Sequence, residues 1–297
     1  MVRRVVVCFL LGSLSTASIA TGSGQTAAPS AAAPAPASAQ TTANVPHLTA
    51  AQIVDKNVAA RGGLEAWRRV KSMRLTGKID VGTLRKPIVG GMPKEQYREQ
   101  LRAAAAQGGE AGKVVQVPFL MELERPRKSR LEMEVVGTTA IQVYDGERGW
   151  KLRPYLNRKD VEAYTEDELK VAAQQQELDG PLIDYAAKGN KVELAGIEQV
   201  EGRNDYKLKV TLKSGTVRYV WIDAQTFLDS KIDGPPRMLD RKPHAVATYF
   251  REYKSVDNLL VPYVLETKVD RVRDSQKITV EKVTFNPSLT EARFGKL

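Results

Sequence analysis

From about Val114 to Phe285 the chain is a succession of short segments in which apolar and charged residues alternate. Phe119-Leu-Met-Glu-Leu-Glu, Tyr206-Lys-Leu-Lys-Val-Thr-Leu, Val217-Arg-Tyr-Val-Trp-Ile and Val261-Pro-Tyr-Val-Leu-Glu-Thr-Lys-Val are examples. Successive side chains of a strand point to opposite faces, so alternation turns one face to water and the other to an apolar neighbour. Strands with Lys, Arg or Glu at every second position do not suit a sheet buried on both sides. An antiparallel sheet with one apolar face is expected instead. What covers that face bears directly on function.

The first residues stand apart from this pattern. Met1-Val-Arg-Arg is a positive start, Val5-Val-Val-Cys-Phe-Leu-Leu-Gly-Ser-Leu is a short apolar run, and Ser18-Ile-Ala20 offers small residues for cleavage. This predicts a secretory signal peptide over 1–20, because the run is too short to span a bilayer as a helix. Residues 21–46, rich in Ala, Pro, Ser and Thr, read as a tether without periodicity. Cys8 is the only cysteine and lies too early for a lipoprotein box, so the mature chain would have no disulfide, which suits a bacterial envelope. The formal charge of +10 becomes +8 once Arg3 and Arg4 leave. An anionic membrane surface or an anionic ligand fits that balance. Nucleic acid does not, since the basic residues are dispersed along strands and interleaved with acids.

Two helices and a first strand open the remaining chain, expected as one domain over 47–297. Thr49 and Gln52 have capping-box spacing, and Ile53, Val54, Val58 and Ala59 form a one-sided stripe that Gly62-Gly63 ends. A short helix from Leu64 to Val70 follows, with Trp67 as an anchor on the sheet. Residues 82–113, punctuated by Gly and Pro, break the strand pattern around a short helix with Tyr97 and Leu101. Two readings stand for this insertion, a lid at the rim of a cavity or a surface insertion without such a role. Asp145-Gly146 marks a tight hairpin turn. Asp160–Gln176 reads as a helix with Thr165 and Glu168 as its capping pair, and Pro181 opens a second helix that Gly189 closes.

The helices cluster rather than alternate with strands, which excludes a doubly wound or α/β-barrel arrangement. The expected fold is mainly β (α+β): a strongly curved antiparallel sheet of about eleven strands, forming an incomplete barrel. Helices would cover its concave face, and Leu169, Leu178, Leu182, Ile183 and Tyr185 would form the plug.

No catalytic constellation is present in the sequence. His47 and His244 are in loop-like contexts, and no metal-ligand spacing, nucleophile elbow or phosphate-binding glycine loop occurs. Asp145 with Glu147, and Glu166 with Glu168, are explained by turn chemistry and by the helix dipole. No enzyme activity, cofactor or metal is expected. What remains is apolar surface. Phe119, Met121, Leu123, Leu131 and Met133 are candidates to line a cavity on the concave face, with Val143, Trp150 and Leu152 beyond them. Tyr206, Leu208, Tyr219 and Trp221 follow, then Tyr249, Tyr263 and Leu265. Taken singly, each is better explained as an ordinary core residue than as a ligand contact. Taken together, they exceed what a short polar plug covers, which argues for a cavity.

Several segments also carry a family likeness. They are Ala60-Arg-Gly-Gly-Leu-Glu-Ala-Trp67 before Met73-Arg-Leu-Thr-Gly77, Tyr144-Asp-Gly-Glu-Arg-Gly-Trp150, Asp179-Gly-Pro-Leu-Ile-Asp-Tyr185 and Val220-Trp-Ile-Asp-Ala-Gln-Thr-Phe-Leu228. With the signal sequence, they resemble the periplasmic lipoprotein-carrier superfamily over about Leu48 to Phe285. These motifs are signatures of a fold and not of an active site. The resemblance implies an incomplete barrel whose apolar face accepts acyl chains, in a periplasm of Gram-negative type. The implied partner is a lipid or an acylated protein, with an envelope membrane protein or anionic membrane surface nearby. The 83–113 insertion and the tether are additions to the family's pattern. A structural or protein-interaction module with a closed, packed half-barrel is the alternative reading.

Overall fold

The computed structural model describes residues 45–83, 114–135, 137–175, 177–239 and 241–297. The expected signal peptide, the tether up to residue 44, and the insertion with Tyr97 and Leu101 lie outside these residues. Two helices, α1 (Ala50–Ala60) and α2 (Leu64–Arg69), precede six strands: β1 (Ser72–Thr83), β2 (Val114–Glu124), β3 (Lys128–Val135), β4 (Thr138–Tyr144), β5 (Gly149–Arg153) and β6 (Arg158–Ala163). After α3 (Glu166–Gln175) come β7 (Lys191–Val200), β8 (Arg203–Thr211), β9 (Val217–Asp223), β10 (Asp229–Leu239), β11 (Lys242–Val256), β12 (Leu259–Val269) and β13 (Gln276–Phe285).

These strands form one antiparallel sheet in the order β6-β5-β4-β3-β2-β1-β13-β12-β11-β10-β9-β8-β7. The first and last strands of the chain thus pair in the middle, and β6 and β7 are the two edges. The strongly curved incomplete barrel of about eleven strands is not what forms. Thirteen strands among the described residues make an open sheet, neither closed nor strongly curled. The apolar surface is covered locally, in three separate clusters, so no strand has to bend around a shared plug. One of the additional strands, β6, lies where the composition suggested the start of a helix.

Because β6 and β7 are at opposite edges, residues 164–190 must cross the sheet between them. α3 begins the crossing with the expected cap, Thr165 N donating to Glu168 Oε2 at 2.8 Å and Glu168 N to Thr165 Oγ1 at 3.3 Å. The crossing then continues without the second expected helix. Residues 178–189 are a run of turns, with Asp184 at a φ of 54°. That left-handed residue breaks an α-helical path. Of the plug residues, only Leu169 is on a helix, and it packs with Tyr144, Tyr164 and Ala172. Leu178 and Ile183 join the central cluster, while Leu182 and Tyr185 join the cluster under α1.

α1 forms as its sequence requires. Thr49 N donates to Gln52 Oε1 at 2.9 Å and Gln52 N to Thr49 Oγ1 at 3.3 Å, completing the capping box. Its buried Ile53 and Val54 pack on Tyr206, Leu208, Val210, Val220 and Ile222 of β8 and β9. Trp67 of α2, fully buried, meets Phe285 edge-on at 5.9 Å in the central cluster. Gly77 lies at a register shift between β1 and β13, where a Cβ would be 2.1 Å from the Thr279 carbonyl oxygen. Gly77→Ala is therefore expected to cost about 2 kcal/mol or more, because backbone must move to admit the methyl group. Urea unfolding of the variant checks this, and an unchanged midpoint would count against the tight approach.

Candidate functional site

The cover of the sheet carries an apolar groove. α1 contributes Val54, Asp55 and Val58, α2 contributes Leu64, and the crossing turns contribute Leu182, Asp184, Tyr185 and Ala186. Gly62-Gly63 ends α1 and lets α2 start at an angle, so that Leu64 returns beside Val58. The groove is open to solvent, with a volume of about 230 Å³. Its rim is held by a two-pronged contact, Arg68 Nε to Asp184 Oδ2 at 2.8 Å and Arg68 Nη2 to Asp184 Oδ1 at 2.9 Å. Those hydrogen bonds hold the Asp184 carboxyl below its usual pKa. The groove offers apolar contact and two acidic residues, Asp55 and the paired Asp184, with no nucleophile and base in its lining. Among the described residues no group of three or more His, Cys, Asp or Glu side chains could hold a metal.

The residues expected to line a single cavity are divided by the sheet. Phe119 pairs with Met133 and Met121 with Leu131, and with Leu123 they face the central cluster under α2 and the crossing turns. Tyr263 and Leu265 belong to the same cluster. Tyr206 and Leu208 face α1. The others are on the opposite face. Lys207 pairs with Trp221 between the pairs Tyr206–Ile222 and Leu208–Val220, so Trp221 and Tyr219 point away from α1. Tyr249 shares that second face through its pairing with Lys231. Val143, Trp150 and Leu152 pair with one another or with Ile141 in the same alternate register and also point away from the central cluster. None of the expected cavity residues lines the groove.

On the second face the aromatic rings are covered by cations. Lys231 Nζ is 3.7 Å from the Trp221 ring centre, Lys207 is 4.7 Å from Tyr219, and Lys268 is 4.6 Å from Tyr249. Glu198 accepts from Trp221 Nε1 at 2.9 Å and from Lys207 Nζ at 2.6 Å, and the lysine holds its carboxyl pKa down. Burial lowers the pKa of Lys231 in turn. Groups of this kind are worth about 0.5–2 kcal/mol each and stabilise the face as it stands.

The groove residues Val54, Val58 and Leu64 were visible only as a helix stripe and a helix start. Nothing in the sequence signalled that Leu182, Tyr185 and Ala186 would turn back against them.

No protein-family model and no curated protein matches the chain. Solved structures do resemble it. A DUF1329 family protein from Desulfovibrio piger superposes with a TM-score of 0.52 at 13% identity, over 83% of this chain and 97% of its own. A LolA superfamily protein from Nitrosomonas europaea gives 0.49 at 11% identity, over 84% and 99%. A putative outer membrane lipoprotein-sorting protein domain from Vibrio parahaemolyticus gives 0.47 at 12%, over 82% and 94%. At these identities the likeness is one of fold.

One buried acid on the second face sets a pH dependence. Asp205, fully buried, accepts a hydrogen bond from Ser230 Oγ, and its Oδ1 has no partner among the described residues. Burial raises its pKa to about 6, with the Asp223 carboxylate adding to the effect and the Ser230 hydroxyl opposing it. The folded protein therefore holds this proton more tightly than the unfolded chain. Its contribution to stability should fall as pH rises from about 4 to about 6, by on the order of 2 kcal/mol, with little further loss from this group above that window. Asp205→Asn is expected to flatten that part of the profile, measured by denaturant unfolding across the range. An identical slope in the variant would assign the dependence elsewhere.

Proposed function

We propose that this is an exported, non-enzymatic binding protein of the bacterial envelope. Its groove takes the apolar part of a lipid or an acylated protein, and its place is a periplasm of Gram-negative type. The observation that supports this is the apolar groove between α1, α2 and the crossing turns. The family resemblance in the sequence implies the same class of partner. At about 230 Å³ the groove is smaller than a pocket that encloses a whole ligand. It suits a stretch of acyl chain with the rest of the molecule outside. About six methylenes at roughly 0.8 kcal/mol each give about 5 kcal/mol. That corresponds to a dissociation constant on the order of 0.1–1 mM, weak enough for exchange.

Ala186, exposed at the groove's rim, is the position to test. Ala186→Trp fills the groove without disturbing the core beneath it. In a displacement assay with a fluorescent fatty acid, the variant should lose binding while its melting temperature stays within about 2 °C of the wild type. Unaltered binding would remove the groove from the proposal.

A second reading has its own support. The interior beneath the crossing turns is filled, with Leu182, Ile183, Tyr206 and Leu208 at 0–1% exposure. In that reading the protein is an interaction module of the envelope, and no amphiphile from any lipid class would be displaceable from it.

A further inference from the structure

A second feature, independent of the groove, lies at one end of the sheet. The β10–β11 and β12–β13 turns are side by side there. Asp270 N donates to the Ala245 carbonyl at 2.8 Å, and His244 Nδ1 is 3.0 Å from the Asp270 carbonyl oxygen. β11 pairs with β12 only as far as Val246–Val269, whereas β10 and β11 continue to Leu239–Lys242. The β10–β11 tip therefore continues by two residues, about 7 Å at the rise of a strand, beyond His244, where it still touches the neighbouring turn.

Both turns expose large apolar side chains, Met238 at 48% and Val272 at 41%. The same hairpin end carries Arg237, Arg241 and Lys242, with Arg237 and Lys242 on the face opposite Met238, and the β12–β13 turn carries Arg271 and Arg273, all exposed except the half-buried Arg237. The same stretches of sequence, 237–242 and 270–274, hold three acids, Asp240, Asp270 and Asp274, so the cations are in excess. Arg271 is 3.5 Å from Asp270 in an ion pair open to solvent, which an incoming anion can replace.

A projecting tip has no concavity to enclose a small ligand. Its apolar apex and basic flanks instead match the order of layers at a bilayer surface, phosphates outside and acyl chains within. We propose that these two turns dock the protein on an anionic phospholipid surface, with Met238 and Val272 entering the headgroup boundary and Arg237, Lys242, Arg271 and Arg273 meeting lipid phosphates. The match is one of charge and polarity, and a flat membrane asks no further shape of a convex tip.

Flotation of the purified protein with vesicles tests this. Vesicles of phosphatidylethanolamine and phosphatidylglycerol should carry the protein, vesicles of phosphatidylcholine should not, and added salt should release it. The pair Met238→Ser with Val272→Ser, and separately Lys242→Glu with Arg273→Glu, should each weaken binding about tenfold or more. Arg69→Glu with Lys71→Glu changes the net charge equally at the other end of the sheet and should stay within about twofold of wild type, as should Ala186→Trp. The proposal is overturned if the wild type does not float with anionic vesicles, or if either tip variant floats as well as wild type. It is also overturned if the Arg69/Lys71 pair loses as much, which would make net charge the cause. Loss through Ala186→Trp would place the lipid contact in the groove instead.

Discussion

The fold depends on how the crossing segment is fastened to the sheet, and one cluster of charges does that. Asp179, almost wholly buried, receives Arg125 Nη2 at 2.5 Å and Lys188 Nζ at 2.7 Å. Its carbonyl accepts from Arg61 Nη1 at 3.1 Å. The same guanidinium is 3.5 Å from Asp229 and lies 4.8 Å over the Trp67 ring, while Trp67 Nε1 donates to the Arg61 carbonyl at 3.0 Å. One cluster thus ties together the end of α1, α2, the β2–β3 turn, the start of β10 and the crossing turns. A run of turns has no helical ladder of its own, so its position must come from such fixed points. Taking one partner from a buried ionic cluster costs about 3–5 kcal/mol, because the charge left behind is uncompensated.

With the crossing held, the sheet is divided between two kinds of surface. The face under α1, α2 and the turns is dry and filled, and the groove is in the cover and not beneath it. The opposite face is built from pairs of cations and aromatic rings, and from Glu122, fully buried between Arg74 and Arg293. The open edges are guarded rather than closed. β6 is short and charged, and β7 carries a register shift between Leu194 and Gly196 that interrupts a regular ladder. Both are devices that discourage further strand pairing. An open sheet of this kind leaves its strand ends free to differ, and the basic, apolar turns beyond β10 and β12 are found at one of them.

Local structure was legible in the residues themselves. The capping boxes at Thr49 and Thr165, the stop at Gly62-Gly63, the turn at Asp145-Gly146 and most strands follow from short-range rules of dihedral preference and period. Asp223 closes the turn after β9 by a local rule of the same kind, accepting from Gln225 N at 2.9 Å and Thr226 N at 2.8 Å. These features need only a few neighbouring residues. β6 was not legible, because Arg158-Lys-Asp-Val-Glu-Ala163 has the composition of a helix and becomes a strand only through pairing with β5.

Alternation in the sequence determined which residues of one strand share a face, as in Tyr206 with Leu208, or Tyr219 with Trp221. Only the tertiary structure decided which faces of different strands coincide. Register couples Lys207, and not Leu208, to Trp221, and a shift of one residue exchanges the two faces completely. The sequence likewise marked residues 160–189 as a polar insertion carrying a few apolar residues. That it crosses from β6 to β7, and folds back on α1 to make a groove, was decided by which strands became the edges of the sheet.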